Sequence, residues 1–283
     1  MKATAKLIAM LLFVLTLGNQ AFAQDSYIVT RINGKVTNFK TGTQLKAGDV
    51  LQPSDRVTFD TFDSYIISIS QTMGRFMMKM HEPPSPEVMQ QLTVTVKDVA
   101  VPTKRRSLMA ERYKPEQSEI GDLKGYFGSD KFSVIGNKVT IPINVSNYPI
   151  DENKFIVFYY RVNNNPVSKK IGYENNSLLV EKDKLLSTSS GDISSNEIPS
   201  VAVYLYEKNT RSSEEITKFD LVFVDQEALT NEFYTILPIL RRQNMGKEDV
   251  KKYLIEYYFD FYGATDSKTI KLFVDNLVDN AKI

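Results

Sequence analysis

The stretch from Tyr27 to Ser70 reads YIVTRINGKVTNFKTGTQLKAGDVLQPSDRVTFDTFDSYIISIS and is the most regularly patterned part of this 283-residue chain. Short runs that alternate apolar and polar residues are separated by turn residues, beginning with Asn33-Gly34. An Asn-Gly pair between alternating runs favours a tight β-hairpin. Short strands at close spacing predict a small barrel or sandwich. We therefore assign residues 24–100 to an N-terminal β domain.

The spacing of turn glycines and apolar residues within 27–70 resembles the FecR-type β module. The resemblance rests on Gly34, Val36, Gly42, Leu45, Gly48, Asp49, Leu51, Asp55 and Val57. It implies a small extracytoplasmic module of short strands, found in envelope sensors and in proteins of other roles, and it implies no catalytic residue. The Lys-, Asn-, Ile- and Tyr-rich composition also resembles that of exported proteins of the Bacteroidota.

Residues 1–23 have the pattern of a secretory signal peptide. Lys2 and Lys6 form a positive n-region, Ile8 to Leu17 is apolar, and Ala21-Phe22-Ala23 suits signal peptidase. The apolar run is shorter than the roughly 20 residues that span a bilayer. We therefore predict cleavage near Ala23, a periplasmic or extracellular location and no transmembrane segment afterwards.

The charge balance and the absence of cysteine exclude some classes of partner and of stabilisation. Lys and Arg number 35 against 34 Asp and Glu, a formal net charge of +1. Such a chain has no long-range field that attracts nucleic acid, so we predict no nucleic-acid partner. The absence of cysteine excludes disulfides, so core burial has to stabilise the protein.

A second β domain is predicted over residues 132–224, after a linker at 101–131. Phe155 to Val162 (FIVFYYRV) is nearly all apolar, which favours a strand buried on both faces. About seven short strands over this range predict an immunoglobulin-like β sandwich.

After Val224 the apolar period changes to that of helices, and residues 225–283 are predicted to form a C-terminal unit of about three helices. Asp225 is the expected N-cap of the first helix, and Pro238 is expected to end or kink it. A third helix is expected to be capped by Thr265 or Asp266. The predicted fold class is thus mainly β with a helical C-terminal unit.

The second of these helices, at Lys247 to Tyr262, carries apolar residues around most of its circumference. Such a helix is either central in the core or pressed between its own domain and a partner. A second apolar stripe, formed by Ile255, Phe259 and Tyr262, flanks the main one. We select this second stripe, together with Tyr258 of the main stripe, as the partner-binding face.

Methionines and the single histidine cluster near residue 80. Met77, Met80 and His81 are the soft ligands that a Cu(I) site uses. Alternation along a strand explains the methionines equally, since it directs only every second residue to one side. We therefore predict no metal site, no cofactor and no catalytic residue, and these three residues are the candidates if a metal binds.

Together these patterns predict an exported, non-enzymatic interaction or structural protein of a bacterial cell envelope. Recognition would use the aromatic helix or a sheet edge, and the partner would be an envelope protein or a second copy of the chain. Two alternatives stay open. One is a periplasmic hydrolase with its site between the β domains, and the other is a FecR-like envelope sensor or regulator.

Overall fold

The protein divides into two compact units, Met1–Thr103 and Lys104–Ile283. The structure, a computed structural model, describes residues 26–70, 74–80, 92–103, 118–188 and 191–281. The predicted signal peptide lies outside the described residues. Strands make up 44% of the described residues, which confirms the mainly β class. Among the described residues, no helix is both long and apolar enough to cross a bilayer.

The first unit consists of short strands in two sheets. Its elements are β1 Tyr27–Asn33, β2 Val36–Asn38, β3 Val50–Leu51, β4 Arg56–Phe59, β5 Tyr65–Ser70, β6 Gly74–Lys79, β7 Thr93–Thr95, helix α1 Val96–Val99 and β8 Ala100–Pro102. One sheet has the order β3-β1-β5-β6-β8 and the other the order β2-β4-β7. Apolar residues of both sheets share one core, among them Val29, Leu51, Val57, Phe59 and Ile66.

The predicted hairpin at Asn33-Gly34 is wrong, because the chain passes there from one sheet to the other. β1 pairs with β3 and β5, whereas β2 pairs with β4. Gly34 does have a positive φ of 74°. A Cβ built on it lies 2.2 Å from Ser64 Oγ, so glycine is required by a close approach as well as by the turn. Turn chemistry therefore marked the bend correctly, while packing decided the pairing.

The second unit holds eleven strands and five helices among its described residues. The strands are β9 Lys131–Ile135, β10 Lys138–Pro142, β11 Lys154–Val162, β12 Asn165–Lys170, β13 Gly172–Glu174, β14 Ser177–Glu181, β15 Ser187–Thr188, β16 Gly191–Asp192, β17 Glu197–Glu207, β18 Ser212–Val224 and β19 Ala264–Thr265. The helices are α2 Leu123–Phe127, α3 Lys182–Leu186, α4 Gln226–Arg242, α5 Lys247–Tyr262 and α6 Ser267–Asn280.

Two sheets enclose the core of this unit as a sandwich. A three-stranded sheet, β10-β14-β13, faces a six-stranded sheet, β12-β11-β17-β18-β9-β19. β11, β12, β17 and β18 pair antiparallel, whereas β9 and β18 pair parallel. In immunoglobulin-like sandwiches, a three-stranded sheet packs against a larger sheet in which successive strands are joined by hairpins, and this is the predicted arrangement.

The C-terminal end of the predicted linker, 118–131, belongs to the core instead. Helix α2 buries Leu123 and Phe127, and the Phe127 ring stacks on Phe219 with centroids 4.8 Å apart. Aromatic rings buried in this way stabilise the sandwich through their large apolar area. Lys124 and Gly125 lie on the exposed side of α2, which is why its composition resembles that of a linker.

The helices form where their local signals place them, although they are not a separate unit. Asp225 and Asp266 cap α4 and α6 by accepting hydrogen bonds from the amides of Ala228 and Thr269 at 2.7 and 2.8 Å. Pro238 does not end α4, which continues to Arg242. After α5 the chain returns to the six-stranded sheet as β19, beside β9. The helices and the sandwich therefore belong to one unit.

Candidate functional site

Helix α5, the predicted partner-binding helix, is buried inside its own unit. Tyr258 is fully buried, and Phe259 and Tyr262 are 7% and 8% exposed. Ile255 is half-buried. The helix packs between α4, α6 and β9, so its second apolar stripe is covered by the chain itself. The selection of Tyr258, Phe259 and Tyr262 as a binding face is therefore wrong, because these rings are packed in the core. The selection of Ile255, which is half-buried, stays a prediction.

The polar tips of the aromatic rings of α5 have partners within the unit. The Tyr258 hydroxyl lies 2.8 Å from Ser133 Oγ, and Ser133 Oγ donates to the Ala264 carbonyl at 3.0 Å. The hydroxyls of Tyr257 and Tyr262 both donate to the buried carboxylate of Glu232. Buried phenols usually need such partners, and these bonds fix α5 against β9 and α4.

The face of the six-stranded sheet that α5 covers is the one opposite the sandwich core. In β9 and β18, Phe132 and Leu221 point into the core, and their neighbours Ser133 and Val222 point the other way. Ser133 and Val222 are paired in register, and Ser133 is bonded to Tyr258. The helices thus cover the outer face at its β9 end.

The same outer face carries a cluster of half-buried aromatic residues on β11 and β17. In β11, Ile156 and Phe158 face the core, so alternate residues face outward. We call the outward cluster the tyrosine face; it consists of Phe155, Val157, Tyr159, Tyr204 and Tyr206. Each of these five side chains keeps part of its surface in solvent.

The rings of the tyrosine face contact one another across the two strands. Phe155 and Tyr206 have ring centroids 5.3 Å apart, and Tyr159 and Tyr204 meet edge to face at 6.5 Å. These separations lie within the range of favourable aromatic pairs. Because each side chain rests on a cross-strand neighbour, the cluster is held in a defined shape without a partner.

An open cleft of about 320 Å3 lies on this face. It is lined by Val157, Tyr159, Ser168, Tyr204, Tyr206 and Ser213. The lining combines aromatic rings with serine hydroxyls. Tyrosine and serine together give a surface large apolar contact area at small entropic cost and adaptable hydrogen bonding. The cleft therefore suits recognition of another molecule's surface.

Charged groups flank the tyrosine face on both sides. On the β18 side, the Tyr204 hydroxyl donates to Glu215 Oε2 at 2.7 Å. That hydrogen bond to the carboxylate, assisted by partial burial, raises the pKa of the Tyr204 phenol, which stays neutral. On the β12 side, the Lys170 ammonium lies 4.2 Å from the centre of the Phe155 ring, a cation–π contact. One flank is thus negative and the other positive.

The predicted sheet edge is present as β12, the outer strand of the six-stranded sheet. It carries Pro166 and the lysines Lys169 and Lys170. Proline and lysine on an edge strand hinder the addition of another strand. Within the second unit, the tyrosine face is therefore the better candidate for recognition.

The described candidate metal ligands do not converge. Met78 is buried in the core of the first unit and Met80 packs against that core, whereas Met77, beside Met78 in β6, points to the opposite face of the strand. His81 lies outside the described residues. Among the described residues, no group of three or more His, Cys, Asp or Glu side chains is placed to hold a metal ion.

The prediction that Phe155 to Val162 is buried on both faces is wrong, and it leaves no place for the tyrosine face. The strand is instead buried on alternate residues. The sequence signal for the open face is that Phe155 and Tyr159, with Val157 between them, lie on one side of their strand, as Tyr204 and Tyr206 do on theirs, since phenols tolerate solvent. In comparisons with known proteins, neither a family model nor a curated protein matches the chain.

Proposed function

We propose that the protein is an exported, non-enzymatic interaction protein of a bacterial cell envelope, and that the tyrosine face is its binding surface. Its partner is an envelope protein or another copy of the chain. The export part of the proposal rests on the pattern of residues 1–23. The binding part is supported by one observation, the cluster of half-buried tyrosines on the part of the sheet that the helices leave open.

The chemistry of the face favours a protein partner. Tyrosine is enriched where proteins recognise each other, because its ring buries apolar area while its hydroxyl keeps a hydrogen bond. The hydroxyls of Ser168 and Ser213 stand beside the rings, and Lys170 and Glu215 lie at the rim. An aromatic centre with a polar, charged rim is the usual anatomy of a protein interface.

Site-specific photocrosslinking in cells tests the proposal. A benzophenone amino acid replaces Tyr206 in the full-length protein, and in a matched variant it replaces Tyr234, which is 47% exposed on α4. We expect a discrete adduct of defined mass from position 206 and none of that mass from position 234. The adduct should disappear when Ser213→Arg is added, because the arginine fills the cleft next to position 206.

The adduct is then identified by mass spectrometry, and binding of that protein is measured with purified components. Tyr204→Ala and Tyr206→Ala should each weaken binding by about tenfold or more, as central aromatic residues do. Equal adducts from positions 206 and 234, or binding unchanged by both alanines, would remove the tyrosine face from the proposed function.

A further inference from the structure

We propose that the tyrosine face binds the same face of a second copy of the chain, forming a two-fold symmetric dimer. This inference rests on the proposed function, since it names the partner of the surface assigned there. It follows from the order of side chains across the strands, from the boundaries of the open face and from the charges at its two sides.

One row of side chains across the sheet reads cation, apolar, aromatic, anion. Val157 pairs with Lys170 of β12 on one side and with Tyr204 of β17 on the other, and Tyr204 pairs with Glu215 of β18. Because paired residues point to the same face of a sheet, these four side chains form one line on the outer face.

The row is complementary to itself under a two-fold rotation. A symmetric interface requires that if one residue contacts another, the reverse contact also occurs. An axis parallel to the strands, midway between β11 and β17, exchanges the outer positions of the row with each other and the inner positions with each other. It places Lys170 of one copy against Glu215 of the second copy, and Val157 against Tyr204, and each contact occurs twice.

The neighbouring rows fit the same axis. Phe155 pairs with Tyr206, so the rotation brings two aromatic pairs together. Tyr159 pairs with Ala202, so each Tyr159 ring stands opposite a position with a short side chain, which its own chain already buries to 4% exposure. A large group opposite a small one lets the two faces approach closely.

The boundaries of the open face also match under this rotation. The open part of the sheet spans four strands, β12 to β18, and ends at the edge strand on one side and at β9 with its covering helix α5 on the other. The rotation lays the edge strand of each copy over β18 of the other. The helices of each copy then stand just beyond the other copy's edge strand, where the described six-stranded sheet ends.

The size of the face predicts a reversible dimer. Four strands about 4.8 Å apart and seven residues at about 3.3 Å each give a face of roughly 19 by 23 Å, or about 900 Å2 buried by two copies. That lies below the roughly 1,200 Å2 at which stable interfaces begin. The dimer should therefore dissociate in the micromolar range or above, about −8 kcal/mol or weaker.

Charge reversal at the two flanks tests the geometry by sedimentation equilibrium of the purified protein at low salt. Lys170→Glu and Glu215→Lys each create two like-charge contacts, and each should weaken dimerisation by about tenfold or more. The double variant should associate as the wild type does. An equimolar mixture of the two single variants should form a heterodimer, since both of its flank contacts are again between opposite charges.

Lys124→Glu on the exposed side of α2 is the matched control for net charge and should dimerise normally. Recovery in the mixture shows that each variant is folded, because a misfolded variant is not rescued by its counterpart. Wild-type association of the double variant is the decisive readout, since its net charge equals that of the wild type. The dimer would be overturned if the wild-type protein stays monomeric at a protein concentration of about 100 μM, 100-fold above 1 μM. It would also be overturned if the single variants neither weaken association nor complement each other.

Failure of the dimer and failure of the proposed function give different results. If the wild type is monomeric while position 206 crosslinks to a different envelope protein, the dimer is wrong and the proposed function stands. If position 206 gives no specific adduct and the wild type is monomeric, both fall. An adduct of twice the chain's mass that is lost in Lys170→Glu supports both.

Discussion

Truncation of Tyr258 tests whether the aromatic helix α5 is core or interface. The ring is fully buried, so Tyr258→Ala removes a complete aromatic side chain from a packed site. Large-to-small substitutions of this kind cost roughly 3–5 kcal/mol of the free energy of unfolding. Tyr258→Phe keeps the ring and removes the hydroxyl that is hydrogen-bonded to Ser133 Oγ. Ser133 keeps its bond to Ala264, so this variant should cost about 0.5–1.5 kcal/mol.

The assay is urea denaturation followed by the near-ultraviolet circular dichroism of tyrosine, since the chain has 15 tyrosines and no tryptophan. Hydrogen exchange of peptides from β9 and α5 locates the loss of protection. Tyr234→Ala, at a ring 47% exposed on α4, is the control and should change the unfolding free energy by about 0.5 kcal/mol or less.

The two explanations of α5 separate clearly. If the ring is core, Tyr258→Ala lowers stability and raises exchange in β9, whereas Tyr206→Ala mainly affects binding. A Tyr258→Ala protein as stable as the wild type that has lost its partner adduct would show that the ring is a binding group. That result would refute the burial argument and restore the original prediction. Deleting residues 226–283 is not an equivalent test, because the helices share their packing with β9.

Three further predictions follow from single residues. Phe127→Ala should lower the free energy of unfolding of the second unit by roughly 3–5 kcal/mol in the same denaturation assay. Lys124→Ala, three residues away, should change that free energy by about 0.5 kcal/mol or less. Equally small effects of both substitutions would show that α2 is part of a linker and not of the core. Gly263→Ala should lower the melting temperature, since Gly263 has φ +85° and an added Cβ would lie 2.6 Å from the Lys131 carbonyl oxygen; an unchanged melting temperature would contradict this strain. The hydrogen bond from Lys271, aided by Lys251, lowers the pKa of the Asp275 carboxyl from its ordinary value of 3.8. The ionised carboxylate therefore stabilises the folded protein fully above pH 3.8, and this stabilisation is lost as the pH falls through the lower pKa of the folded state. Asp275→Asn should flatten the acid limb of the stability–pH curve, and an acid limb as steep as that of the wild type would exclude this role.

Local sequence signals predicted the elements of this protein well. Asp225 and Asp266 cap helices because a side-chain oxygen one residue before a helix satisfies a free backbone amide, whatever the helix packs against. Alternation at period two and the turn glycines predicted short strands in both units. These signals depend on the backbone within a few residues, so they do not require knowledge of the tertiary fold.

The pairing of strands, and the burial of side chains by distant elements, could not be predicted from local signals. Asn33-Gly34 marks a bend, yet β1 and β2 join different sheets. The polar, glycine-containing sequence around Phe127 predicted a linker, whereas the Phe127 ring is buried in the sandwich core. In each case, the missing information was which distant element approached the segment, and a window of neighbouring residues does not contain it.

Helix α5 and strands β11 and β17 show most directly which features local patterns predict and which depend on packing. That α5 is apolar around most of its surface and that β11 and β17 carry tyrosines can be read from the residue pattern alone. That α5 is enclosed by α4, α6 and β9, while Phe155, Tyr204 and Tyr206 keep one side in solvent, follows only from how the elements pack. A hydrophobic pattern specifies which side chains share a face, whereas their burial depends on how far the covering helices extend across the sheet. Here they stop at β9, and the surface that remains open is the one we propose for binding.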